Sequence, residues 1–273
     1  MEADLYVGVT SWVYQNFLDR GYHIVSWSYR LAPIASIKDM VEDGQDAFAW
    51  CRANLERIIP VDIDAYAVGG DSAGGALATL MGGILTPPPR AVLDDQGITD
   101  LSDPWFDEHP DPPTPYTGEF TEAEIAAAVA ERDLSKALIG CGMDPTQTEE
   151  DVRKEFKSST VKFGRAERLQ LEVRRALAEK SAWVRSTVHP EKYSSEEEIK
   201  AAQRQWSSLH RLVGMTSYPP TFFLHGAADD CVPVTQSQRM AEKLRAMGVP
   251  VGEHYEPGVG HCFNHHYTVG FQR

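Results

Sequence analysis

A serine held between two glycines can be turned into a nucleophile, and Gly70-Asp71-Ser72-Ala73-Gly74 carries one. The spacing G-x-S-x-G suits a sharp strand-to-helix turn, strained at the serine, with small residues two before and two after it so that the turn passes its neighbours. Ser72 Oγ would then stand exposed at a helix start, where the Ala73 N–H and the helix N-terminus face a developing oxyanion. The flanks agree: the apolar run 63–68 suits a buried strand, and Ala76-Leu77-Ala78-Thr79-Leu80-Met81 continues as a small-residue helix. Asp71, Gly74 and Gly75 line the turn and are the expected substrate-binding positions. Taken alone, the motif also fits an ordinary strand-to-helix junction.

A hydroxyl needs a base to take its proton, and a histidine base needs an acid to orient it. Both residue types occur in later loops. The strand-like run 222–224 leads into His225-Gly226-Ala227-Ala228-Asp229-Asp230-Cys231-Val232-Pro233, and the run 249–255 leads into Glu256-Pro257-Gly258-Val259-Gly260-His261-Cys262-Phe263. A lone exposed aspartate or histidine is usually structural. Three suitable residue types, each following its own strand, are a stronger signal, because sites of parallel sheets lie at the strands' carboxyl ends.

Four motifs now stand together: Tyr29-Arg30-Leu31-Ala32-Pro33, Gly70-Asp71-Ser72-Ala73-Gly74-Gly75, His225-Gly226-x-x-Asp229-x-x-Val232-Pro233 and Gly260-His261-x-Phe263. This set resembles the hormone-sensitive-lipase-like branch of the α/β-hydrolase superfamily, and it spans most of the chain. The resemblance implies an α/β-hydrolase fold with Ser72 as nucleophile, His261 as general base and acid, and Asp229 as the orienting carboxylate. Asp230 lies one position past the motif's place. Also implied are carboxylic-ester hydrolysis through an acyl-enzyme, a small-molecule ester substrate, no cofactor and no metal. A prolyl peptidase fits less well, since its elbow usually lacks the Asp71-Ser72-Ala73 pattern.

The chain departs from that branch at its start. The branch carries a His-Gly-Gly-Gly loop that forms most of the oxyanion hole, and only Met1 to Gly8 precede Val9 here. The loop and the first strands are expected to be missing, including the strand normally between the Y-R-L-A-P strand and the elbow strand. Leu5-Tyr6-Val7 is at most a stub. The chain reads as an N-terminally truncated hydrolase whose exposed sheet edge favours a homodimer. The alternative is a catalytically impaired binder of small molecules, or a biosynthetic lyase or cyclase, on the same fold.

The elements that must position these residues follow from periodicity. A helix is expected over 9–19, a strand over 22–29, and an amphipathic helix over 37–55 burying Met40, Val41, Ala47, Phe48 and Trp50. A strand begins at Arg90. Residues 103–216 carry no strand-like run and read as a helical lid inserted between core segments 1–102 and 217–273. Within it Thr121 with Glu124, and Ser195 with Glu198, form capping boxes, and 165–184 reads as one helix. Trp105, Phe106, Trp183 and Trp206 are the expected pocket walls. Thr235 with Gln238 caps a helix running through Met247.

Composition narrows the function classes. At 273 residues with 42% hydrophobic and 24% charged residues, the chain can bury a substantial core. A net charge of -14 argues against nucleic acid or an anionic membrane as partner. No apolar run approaches the roughly 20 residues of a membrane span, and Met1-Glu2-Ala3-Asp4 lacks the basic start of a leader. Cys51, Cys141, Cys231 and Cys262 show no C-x-x-C spacing and read as reduced thiols, so a cytoplasmic location is expected. His254, His261, His265 and His266 make a poor metal set, because adjacent side chains diverge. Asp39, Glu42, Asp43 and Asp46 read as a solvated helix face.

Overall fold

The computed structural model describes residues 11–109, 118–139 and 164–266. Leu5-Tyr6-Val7, Cys141 and the 110–115 part of the proline-rich stretch lie outside the described residues. The elements run in order α1 (Ser11–Leu18), α2 (Ile37–Ile58), β1 (Val68–Asp71), α3 (Ala73–Ile84), β2 (Val92–Asp95) and α4 (Trp105–Glu108). There follow α5 (Glu122–Ala130), α6 (Arg165–Ala178), α7 (Trp183–Ser186), α8 (Glu196–Gln205) and α9 (Ser208–Arg211). Last come β3 (Thr221–Gly226), α10 (Thr235–Ala246) and β4 (Val251–Glu256).

The four strands form one parallel sheet in the order β1-β2-β3-β4, with Val68 opposite Val92, Val92 opposite Thr221 and Thr221 opposite Val251. Parallel strands joined by helices bury both sheet faces, and two apolar clusters do this here. One joins Ile37, Met40 and Val41 of α2 to Leu77, Leu80 and Met81 of α3. The other joins Ala78 of α3 to Phe223 of β3 and Met240, Ala241 and Leu244 of α10.

Residues 22–30 form no strand. A strand exists only through its ladder, and these residues have no strand partner among the described residues. Nearby, the Arg30 N–H goes to Asp43 Oδ2 at 2.8 Å and the Leu31 N–H to Leu138 O at 2.8 Å. Asp43 also grips the Arg30 guanidinium at 2.7 Å, and Asp39 closes a capping box on Ser36. Two of the four acids expected merely to be solvated therefore tie α2 to the loop before it. Trp50 is 54% exposed, because the buried stripe of α2 runs through Ile37, Met40, Val41 and Gly44 instead.

Within 103–216 the described residues form helices and no strand. Thr121 and Glu124 make the expected box, whereas Glu198 turns back to the Ser194 N–H, so only the Ser195 half of the second box forms. The single helix expected over 165–184 divides at Ser181, whose φ is 52°. Thr235 lies inside α10 and makes no cap. Phe106, Val184, Val188 and Ile199 lie in the same apolar cluster as α2 and α3, with Trp105, Trp183 and Trp206 packed against it. These aromatic residues extend the core formed by α2 and α3. Two further ties run to the 30–37 loop, from the Gln170 amide to Ala32 O (2.6 Å) and from the Ile37 N–H to Thr187 O (2.7 Å).

Candidate active site

The turn between β1 and α3 carries Ser72 at φ 55° and ψ −114°. A residue with a side chain pays for positive φ, and such positions cluster where geometry serves a site. The Ser72 N–H donates to Asp95 O at 2.7 Å, which fastens the turn to the end of β2. Its carbonyl accepts from the Ala76 N–H at 3.0 Å and starts α3. The N–H groups of Ala73 and its neighbours, in the first turn, have no intrahelical acceptor. They make the helix start a positive end that suits an oxyanion.

The glycines divide the work unequally. A Cβ on Gly70 would lie 2.3 Å from the Gly74 carbonyl carbon, so the chain can cross itself there only without a side chain. A Cβ on Gly74 would meet nothing within 4 Å. On Gly75 it would lie 2.4 Å from Asp94 Oδ1 and 3.0 Å from Gly97 Cα. Gly75 is buried, and its smallness serves packing against the end of β2. Asp71, the other expected substrate-binding position, accepts from the Gln96 amide at 2.9 Å. Gly70→Ala is expected to lower stability by about 1–3 kcal/mol, while Gly74→Ala changes it far less, as denaturant titration of the two variants would show.

Two distant stretches converge on the serine. His261 Nε2 lies 2.9 Å from Ser72 Oγ, and His261 Nδ1 lies 2.6 Å from Asp229 Oδ2. Asp229 follows β3, and its Oδ1 accepts the N–H groups of Cys231 (2.9 Å) and Val232 (2.8 Å). Asp230 is exposed. Burial pushes the Asp229 carboxyl up, but hydrogen bonds with His225 and His261, the charge of His261 and the Val232 N–H outweigh it. The carboxyl is held well below the usual range, so it stays ionised opposite Nδ1. That fixes the proton on Nδ1 and leaves the Nε2 lone pair for the serine hydroxyl.

Two more polar side chains lie at this edge, His225 from the His225-Gly226 motif and Asp94, which no sequence motif singles out. His225 is fully buried, with Nδ1 2.8 Å from Ser237 Oγ and Nε2 2.8 Å from Val232 O. Its Nε2 is also 3.2 Å from Asp229 Oδ2, so it braces the carboxylate from behind. Asp94 is fully buried, and burial pushes its carboxyl up to about 6, with Asp71 adding to the rise and His225 and the Gly97 N–H opposing it. Its Oδ2 has no partner. The folded chain therefore keeps a proton that the unfolded chain releases near pH 3.8, and stability falls as pH rises from there through 6. Asp94→Asn is expected to stabilise the protein at pH 7 by on the order of 3 kcal/mol, with the gain vanishing below pH 4 in paired thermal melts.

Comparison with known proteins gives family-model matches in both halves. The BD-FAE family matches residues 4–109, which hold the serine turn. The prolyl oligopeptidase family matches residues 164–270, which hold Asp229 and His261, although the Asp71-Ser72-Ala73 pattern argued against a prolyl peptidase. Among curated relatives, the non-reducing polyketide synthase ausA of Aspergillus calidoustus is 29% identical over 272 residues, covering 90% of this chain and 11% of its own length. The ausA protein of Emericella nidulans is 30% identical over 261 residues, covering 85% and 10% respectively. The chain thus spans about a tenth of the length of these relatives.

Solved structures share the fold at low identity. An alpha/beta hydrolase superfamily protein from Enterococcus faecalis aligns with a TM-score of 0.52 at 18% identity, over 94% of this chain and 76% of its own. The Pyrobaculum calidifontis esterase aligns with a TM-score of 0.51 at 19% identity, over 96% and 67%. The parallel sheet and these two structural matches show that the chain has the α/β-hydrolase fold.

Proposed function

We propose that the chain is a serine hydrolase that cleaves a carboxylic ester through an acyl-enzyme. One observation carries the reading: Ser72 Oγ, the His261 ring and the buried Asp229 carboxylate form one unbroken line of hydrogen bonds, 2.9 Å and 2.6 Å long. Ser72 Oγ attacks the ester carbonyl as its proton passes to His261 Nε2. The new oxyanion sits against the Ala73 N–H at the head of α3. His261 then gives its proton to the leaving alkoxide, and the acyl group stays on Ser72. Water, deprotonated by the same Nε2, attacks the acyl-enzyme, and collapse of the second tetrahedral species returns the proton to Ser72 and releases the acid. The 103–216 segment is read as a cap on this edge of the sheet, which its ties to the 30–37 loop support.

The relatives favour a second reading of the substrate. The first curated relatives are non-reducing polyketide synthases, so an acyl chain of polyketide type, presented as an ester or thioester, is the other candidate. The same nucleophile and base would serve both, because the step differs only in the leaving group.

Mixing the purified chain with a p-nitrophenyl ester in stopped flow tests the proposal. A burst of about one equivalent of p-nitrophenol followed by slower turnover is expected. Absence of both burst and turnover, with the ester still bound, would instead favour the binding-protein reading.

A further inference from the structure

The end of β2 reaches both halves of the site at once. Gln96, the residue after β2, is fully buried at φ 49°, a backbone state in which glycine would be at ease. Its side chain explains why glycine is not used. Oε1 accepts the Cys262 N–H at 3.1 Å, next to His261. Nε2 donates to Asp71 Oδ1 at 2.9 Å, next to Ser72, and to Asn264 Oδ1 at 3.1 Å. Asn264 is itself buried, and its Nδ2 donates to Asp95 Oδ2 at 2.5 Å. The amide orientations are forced, because flipping Gln96 would set its NH2 against an N–H and its oxygen against a carboxylate.

The result is one directed chain of hydrogen bonds from the Cys262 N–H through Gln96 and Asn264 to Asp95, whose own carbonyl holds the Ser72 N–H. Three of the five non-glycine residues with positive φ among the described residues, Ser72, Gln96 and Cys262, are joined by it. Two strained turns that must meet are thus held to Asp95 and Gln96 at the end of a central strand.

Resting on the serine-hydrolase reading, we propose that Gln96 and Asn264 are positioning residues that set the distance between His261 Nε2 and Ser72 Oγ. A carboxylate at position 96 keeps the shape and the acceptor for the Cys262 N–H, but turns the donor toward Asp71 and Asn264 into a third acceptor. The loop carrying His261 then separates from the serine turn, while the apolar clusters stay as they are. Misplacement of about 1 Å can cost about 100-fold in rate.

The test compares wild type, Gln96→Glu and Asn264→Leu by the second-order rate of labelling with a fluorophosphonate, by the kcat and KM of ester turnover, and by the downfield proton resonance of His261 Nδ1–H. Expected for both variants are labelling and kcat lowered about 10- to 100-fold, KM nearly unchanged, and a shifted or broadened resonance in a protein that still melts cooperatively. Wild-type rates and an unmoved resonance in either folded variant would overturn the inference. If wild type itself resists the probe, the hydrolase reading fails, and the resonance alone still decides whether Gln96 and Asn264 position the ring.

Discussion

Ser72→Ala is expected to lower ester turnover by about 10⁴-fold or more, the largest effect of any single change considered. In the proposed mechanism the side chain supplies the attacking atom, while backbone groups fasten the turn. The Ser72 N–H still bonds to Asp95 O, and the Ser72 carbonyl still starts α3, since both are backbone groups. Alanine keeps the backbone fastening, so thermal stability should change by well under the loss in activity. Binding of an ester or its product acid should persist. Side-by-side measurement of kcat and of the melting temperature checks this. A variant that keeps even a tenth of wild-type kcat would show that another group does the chemistry.

Asp229→Asn comes next, with an expected loss of about 10⁴-fold in kcat and little change in KM. The asparagine oxygen can still accept the N–H groups of Cys231 and Val232, so the loop after β3 keeps its shape. The amide nitrogen would then face His261 Nδ1 and His225 Nε2, where the carboxylate oxygen now sits. The His261 ring must accept at Nδ1 and carry its proton on Nε2, which sets a donor against the serine hydroxyl instead of an acceptor. A steady-state comparison with Asp230→Asn separates the two neighbours: the exposed Asp230 should be replaceable at almost no cost. Equal losses in the two variants would contradict the assignment.

Much of this site could be read from sequence because each of its three side chains sits in a turn whose local chemistry is distinctive. Gly70 is forced by the close approach of Gly74, the strand before Asp229 is a short apolar run after Pro219-Pro220, and the loop carrying His261 is marked by proline and glycine. The strand expected over 22–29 was not to be found, although its β-branched and aromatic residues suit one. Pairing is a tertiary property, and β1 stands at the edge of the sheet without these residues beside it. Trp50 looked buried on apolar character alone, yet the helix turns it outward. Gln96 and Asn264 left no trace in sequence, since 168 positions separate two amides that meet at 3.1 Å. The packing role of Gly75 is illegible for a related reason: the atom that excludes a side chain there belongs to Asp94 on the neighbouring strand.

The line from Ser72 through His261 to Asp229 is tested most directly by mapping where a fluorophosphonate attaches, using intact mass and then peptide mass spectrometry. One adduct per chain, on Ser72, is expected, with its formation slowed about 10³-fold or more in His261→Ala. An unmodified chain, or an adduct on any other residue, would contradict the assignment of Ser72 as the nucleophile.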